Sequence, residues 1–467
     1  MMRTTRRKFL AFLGASASVG HPVRLFGSDK PQARSTPASH SLVGSSQTRE
    51  PVPSVAPLSP PFRLPESWYR QTVKRLQEKM SERGLDGIIL KDRWNIIYVS
   101  GLFHTTTERP FWLFVPTKGE PVFFHPGLDK DLVNTWWIKE GEWYFDYPHA
   151  GPFNALAYKA GARADLLEWM LKGLARRGFG RARLGIEEEV GPTTMKRMQQ
   201  ALPEARFEVA GDLLLRMRMI KTPEEIELTR KAIALHDRML AFARDYILKH
   251  GTDATDFEVR HRTEEFATHE LMKVMQPTGR PHQAVGVSLN FGCRAGVATA
   301  YPHPNQFFYS RIRRGEAVQI AAVITIGGYG GEGYRALHIE PMTDLQRKMW
   351  DVHTEMVLKQ QELSKAGVRC NEVAEKVLDI AVRAGLQQYI YHRPAHGQGM
   401  EGHQAPYIAP GDETVLEEGM MFSNEPGLYN PEGGFGYNHS NCVLVTKDRG
   451  LALNQTPLTR EWCWLKL

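Results

Sequence analysis

The sequence predicts a mixed α/β (α+β) fold in two folded domains, the second carrying an internal pseudo-twofold repeat. Three observations carry this. Helical and strand patterns alternate between residues 65 and 212. The segment Thr222-Pro223-Glu224-Glu225 combines a capping box with proline at the first helical position, and long helices follow it. A helix–glycine–helix unit occurs twice, broken first at Gly251 and again at Gly367. The length, 467 residues, agrees with two to three domains.

In chain order, residues 1–20 read MMRTTRRKFLAFLGASASVG: a basic start, a short apolar run, then small residues. Arg6-Arg7 followed by Lys8-Phe9-Leu10 resembles a twin-arginine export motif. Residues 1–27 are therefore expected to be a signal peptide, and the mature protein periplasmic or otherwise extracytoplasmic. Residues 28–64, rich in Ser, Pro, Gln and Ala, are expected to form a disordered linker. The first domain, 65–212, opens with a helix over 67–83 that places Val73, Leu76 and Met80 on one face and ends at Gly84. Residues 85–91 and 95–101 read as strands, and 111–116 and 121–126 as a hairpin. A helix near 162–177 and a strand over 182–188 complete it. The second domain, 213–467, has Ile226, Ile233, Leu240 and Ile247 along one face of a long helix. A helix from Asp256, another over 345–365 and a fourth from Asn371 follow.

Composition excludes several classes. The net charge is +7, but residues 1–62 hold eight Lys/Arg against two Asp/Glu, so the folded part is close to neutral. That leaves no footprint for nucleic acid. No stretch approaches the roughly 20 apolar residues of a stable membrane span. The four cysteines, Cys293, Cys370, Cys442 and Cys463, form no CxxC pair, which argues against a zinc ribbon or a dithiol redox motif. A disulfide and free structural thiols both remain open.

Five segments in order carry a family resemblance: RGLDGIILKDRWNIIYVSG at 83–101, LLRMRMIKTPEEIELTRKA at 213–231, HGQGMEGHQAP at 396–406, SNEPGLY at 423–429 and VLVT at 443–446. Together they resemble the pita-bread family of creatinase, prolidase, aminopeptidase P and methionine aminopeptidase. The resemblance implies a creatinase-like N-terminal domain, a pita-bread catalytic domain and a homodimer. Its metal enzymes use two Asp, one His and two Glu. Matched by position, the first Asp falls on Ala321, the second on Glu332, the His on His396, the first Glu on Glu425 and the second on Ser440. Alanine cannot coordinate an ion and serine is a poor ligand for one, so the resemblance implies a degenerate metal site.

The same matching names His303, His396, His403 and Glu425 as candidate catalytic residues, and Glu332, Arg335 and Ser440 as candidate substrate-binding residues. Histidine titrates near neutrality, as proton transfer to a leaving amine requires. His338 and His439 are further histidines for which a structural role is preferred. Gln404 stands where peptidase members commonly carry Glu. Three functions follow. One is hydrolysis of a C–N bond in a small polar or cationic substrate without metal, as creatinase does on this fold. Another is a mononuclear metallohydrolase with Glu332, His396 and Glu425 around a single divalent ion. The third is an inactive binding protein.

Overall fold

The computed structural model describes residues 58–145, 165–275, 286–303 and 310–467. The expected signal peptide and most of the expected linker lie outside the described residues. The end of that linker is ordered. Leu58 and Phe62 are buried in the C-terminal core, and Leu64 in the N-terminal core. Three apolar side chains within seven residues give this strap enough surface to bury.

The N-terminal domain runs α1 (Glu66–Glu82), β1 (Gly87–Leu90), α2 (Arg93–Ser100), β2 (Trp112–Pro116), β3 (Val122–Pro126), α3 (Lys130–Asn134), β4 (Gly141–Tyr144), α4 (Leu166–Leu174), β5 (Arg183–Ile186), α5 (Pro192–Ala201), β6 (Arg206–Val209) and α6 (Gly211–Met219). Its six strands form one sheet in the order β4-β3-β2-β1-β5-β6. The β2–β3 hairpin is antiparallel as expected, whereas β1, β5 and β6 run parallel. One sequence expectation is corrected: residues 95–101 lie in helix α2 and the turn that ends it, not in a strand. The Asp92 side chain accepts from Asn95 N at 2.9 Å, capping the start, and Gly101 at φ 72° closes the end in the left-handed conformation. A fully buried apolar run has no periodicity to separate helix from strand. The domain also extends beyond 212. Leu214 and Met217 of α6 pack into the N-terminal core, so the chain changes domain between Ile220 and Thr222.

The C-terminal domain runs α7 (Pro223–His250), α8 (Asp256–Val274), β7 (Ser288–Ala295), β8 (Ala317–Ile326), β9 (Tyr329–Ile339), α9 (Asp344–Leu363), α10 (Cys370–Arg383), β10 (Ala395–Gly397), β11 (Gln404–Ile408), β12 (Met421–Asn424), β13 (Leu428–Asn430), β14 (Phe435–Tyr437), β15 (Asn441–Val445), β16 (Gly450–Ala452), α11 (Arg460–Cys463) and β17 (Trp464–Leu465). The capping box read from Thr222 is formed, with Thr222 N donating to Glu225 at 2.7 Å. Two helix pairs, α7–α8 and α9–α10, each precede a sheet. The first sheet has the order β17-β9-β8-β7, the second β11-β10-β12-β15-β16. They meet where Tyr334 and Ser440 exchange backbone hydrogen bonds at 3.1 Å in both directions. This is the repeat that the two helix–glycine–helix units announce. The four cysteines are free thiols, three of them buried. No helix among the described residues is long and apolar enough to cross a membrane.

Candidate active site

The site forms at the seam of the two C-terminal sheets. Glu332 is the fourth residue of β9, held by the long β8–β9 hairpin. His396 lies on β10, paired with Ser423 of β12. Glu425 follows β12 directly, its N–H donating to Pro394 O at 2.9 Å. His403 ends the glycine-rich loop between β10 and β11. Strand pairing thus converts three separate sequence motifs into one cluster.

His396 is the centre. Its Nε2 lies 2.6 Å from Glu332 Oε1 and 3.3 Å from Glu425 Oε1, and its side chain is 0% exposed. The Nδ1 faces the Gly397 carbonyl at 3.2 Å. A carbonyl only accepts, so Nδ1 carries the proton and a neutral His396 would present a bare lone pair at Nε2. The close approach of Nε2 to Glu332 Oε1 lies outside hydrogen-bond geometry, and both atoms are buried and unsatisfied. Three electron-rich atoms therefore converge, which demands a proton or a cation among them.

The electrostatics agree. Burial opposes charging His396, but its contacts with Glu332 and Glu425 outweigh this and push it up to about 10. Glu425 is also penalised by burial, yet the facing His396 holds it below the usual carboxylate range. His403 stacks on His396, with ring centroids 3.8 Å apart at 13°. Burial first, then the His396 charge, lowers its pKa. Its side chain is 60% exposed, so His403 is the cluster's histidine that solvent reaches.

Other candidates fall elsewhere. His303 is exposed and, among the described residues, has no hydrogen bond or ion pair to the cluster. Arg335 is corrected from substrate binding to structure. It is fully buried, and its guanidinium donates to Tyr334 O at 2.7 Å, Ser440 O at 2.8 Å, Asn441 Oδ1 at 2.9 Å and Thr456 O at 2.6 Å. Nothing remains to hold a substrate carboxylate. Ser440 likewise has its hydroxyl fully buried against Ser423 Oγ at 2.9 Å. His338 joins Tyr437 at 3.0 Å, and His439 accepts from Ala336 N at 3.0 Å, so both are structural.

Sequence reasoning missed two groups. Tyr334 donates its hydroxyl to Glu332 Oε2. It stands two residues after Glu332 on a strand, which places both on one face, and that periodicity was the available signal. His392 helps hold Glu425 ionised, and no motif marks it.

The loop that carries His403 is clamped from the other domain. The nearly buried Arg218 donates to Asn95 at 2.9 Å, to Gln404 at 3.2 Å and to Glu401. Asn95 in turn donates to Glu187 at 2.8 Å. Gln404 is thereby used in the scaffold.

A donor set for one ion exists. Glu332, His396 and His403 each offer one atom, all within 4.8 Å of one another. This differs from the expected trio, since His403 takes the place of Glu425. The unsatisfied His396 Nε2 and Glu332 Oε1 fit a single cation. Ala321 and Ser440 carry no anionic side chain.

Comparisons with known proteins give one answer. Residues 72–220 match the Creatinase/Prolidase N-terminal domain, and residues 227–447 match metallopeptidase family M24. The chain belongs to the pita-bread family. It is a hydrolase-family chain of the M24 type, with the mixed α/β architecture that its sequence predicts. The chain is 26% identical to the Xaa-Pro dipeptidase of Lactobacillus helveticus over 377 residues, covering 80% of this chain and 94% of that one. It is 28% identical to the Xaa-Pro dipeptidase of Pyrococcus furiosus over 273 residues, covering 58% and 74%. Among solved pita-bread structures, dipeptidase PepE of Mycobacterium ulcerans superposes with TM-score 0.68 at 22% identity, covering 86% of this chain and 99% of that one. X-Pro aminopeptidase of Thermotoga maritima gives TM-score 0.68 at 20% identity, covering 85% and 99%. These two likenesses speak to the fold.

The buried histidines make a prediction for acid stability. Burial drives His353 from 6.5 to about 3, and His236 and His338 from 6.5 to about 4. The unfolded chain takes up these protons near pH 6.5, while the native state resists them. Stability from these groups is complete above that pH and lost as pH falls toward 4. Urea midpoints should drop markedly between pH 7 and pH 5. A flat profile over that window would show that the three rings protonate without unfolding.

Proposed function

We propose that the protein hydrolyses a C–N bond of a small polar or cationic substrate, of dipeptide or guanidino type, without the dinuclear ion pair of its metal-dependent relatives. The observation that carries this is the convergence of Glu332 and Glu425 on His396 Nε2 in a buried cluster. With His396 charged, the three groups sum to one negative charge, which a substrate ammonium or guanidinium group offsets. His403, accessible and biased toward its neutral form, takes the proton of an attacking water and returns it to the leaving nitrogen. The water oxygen bonds to the carbonyl-type carbon as the C–N bond breaks. The relatives named as Xaa-Pro dipeptidases support the dipeptide end of this range.

A second reading keeps one divalent ion, and the 4.8 Å donor set favours it. Glu332, His396 and His403 would hold the ion, which supplies Lewis-acid activation of water and carbonyl. The twin-arginine-like start supports export to the periplasm, and the family resemblance supports a homodimer.

The test is turnover of glycyl-proline, other dipeptides and creatine by the purified full chain, with chelator and with Mn²⁺, alongside elemental analysis. Fewer than two ions per chain are expected, because Ala321 and Ser440 supply no carboxylate. Activity that survives chelation selects the metal-free reading, and activity restored by Mn²⁺ selects the mononuclear one. Two tightly held ions per chain would overturn both, as would no turnover of any member of the panel.

A further inference from the structure

Tyr334 stands where the two catalytic sheets join. Across the β8–β9 hairpin its register partner is Ala321, and Ala321 in turn faces Gly292 of β7. On the other side its backbone bridges to Ser440. Directly paired residues of antiparallel strands put their side chains on one face, so Tyr334 has small side chains on both flanks. Glu332, two residues earlier, shares that face. The phenol hydroxyl spans the gap and donates to Glu332 Oε2. The other oxygen, Oε1, is the buried unsatisfied atom that faces His396 and His403.

This divides the work of one carboxylate. A hydroxyl donor takes one lone pair of Oε2 and draws charge from the group. Oε1 is the oxygen without a donor and the one turned toward a cation. The ring springs from the same face as the small side chains of Ala321 and Ser440, its register partners on either side.

We propose that Tyr334 is a specificity-determining residue of this site: it donates to one oxygen of Glu332 from the face it shares with Ala321 and Ser440, restricting the pocket to a single positive guest. The proposal rests on the reading that Glu332 faces the substrate or ion. It predicts an unusual sign. Tyr334→Phe keeps the ring and frees Oε2, leaving a buried carboxylate oxygen without its donor. Such a carboxylate is a stronger cation partner. The variant should bind a single cation more tightly, by at least fivefold, with the stoichiometry still one because the ring remains. A general loss of structure would weaken binding instead.

The experiment is calorimetry of the full chain with Mn²⁺ and with methylguanidinium, for the wild type, Tyr334→Phe, Glu332→Gln and the double variant. The expected result is tighter binding in Tyr334→Phe of whichever probe the wild type holds, with the gain absent when Glu332→Gln is present. Unchanged or weaker binding in Tyr334→Phe, or a gain that persists without the Glu332 carboxylate, overturns the role of Tyr334 while leaving the site reading intact. A wild type that binds neither probe overturns both, since Glu332 then faces no cation. Should Tyr334→Phe fail to fold, Tyr334→Leu removes the phenol without adding a donor, and its cation affinity is read in the same way.

Discussion

Replacing His396 by alanine is expected to lower kcat by at least about a hundredfold, because it removes the cationic partner of two buried carboxylates. The loss has two sources. The imidazole lies between Glu332 and Glu425, at 2.6 and 3.3 Å. Without it two buried carboxylates face each other with no counter-charge, and one takes up a proton. The pocket keeps a single negative charge but loses the paired ionised carboxylates that grip a cationic substrate, and His403 loses the ring on which it stacks. Steady-state kinetics with the substrate that the wild type turns over, paired with thermal unfolding, separates chemistry from folding. A variant that folds normally with kcat within threefold of wild type would remove His396 from the reaction and, with it, the proposed site.

Arg335→Met should destabilise the fold by roughly 1–3 kcal/mol for each buried acceptor that it leaves without a donor. The guanidinium is wholly inside the protein and joins β9 to the Ser440 carbonyl, the Asn441 side chain and the Thr456 carbonyl. Methionine fills much of the volume and supplies no donors, so several acceptors are stranded. The urea midpoint should fall steeply, while the folded fraction keeps its affinity for a small cation. Unchanged stability with lost binding would return Arg335 to the substrate-binding role that its place in the sequence first suggests.

The contrast between Arg335 and Tyr334 shows what the sequence could and could not convey. Both follow Glu332 closely, and strand parity assigns them opposite faces. Matching by motif drew attention to the arginine, because motifs record residue identity and not direction. Parity alone would have pointed to the tyrosine. His396, Glu332 and Glu425 were legible because each sits within a spaced motif whose strands must pair to bury their apolar neighbours. Apart from that of Tyr334, the carbonyls that saturate Arg335 belong to residues more than a hundred positions away, and no local pattern announces them. Helix α2 was misread for a simpler reason. Its residues 95–100 are all buried, so neither a two-residue nor a 3.6-residue rhythm survives in the sequence. The caps at Asp92 and Gly101 were the better guide.

The clamp at Arg218 has a consequence for how this architecture can be taken apart. Every side chain of the cluster comes from residues after 330, so the C-terminal half looks like a complete chemical unit. The loop bearing His403 is nevertheless moored through Glu401 and Gln404 to Arg218, and from there to Asn95 and Glu187 in the other half. Cut free of its N-terminal half, that loop would keep its histidine and lose its anchorage. The smaller domain is a jig for the loop that bears His403, and evolutionary exchange of that domain would retune the cluster without altering one residue inside it.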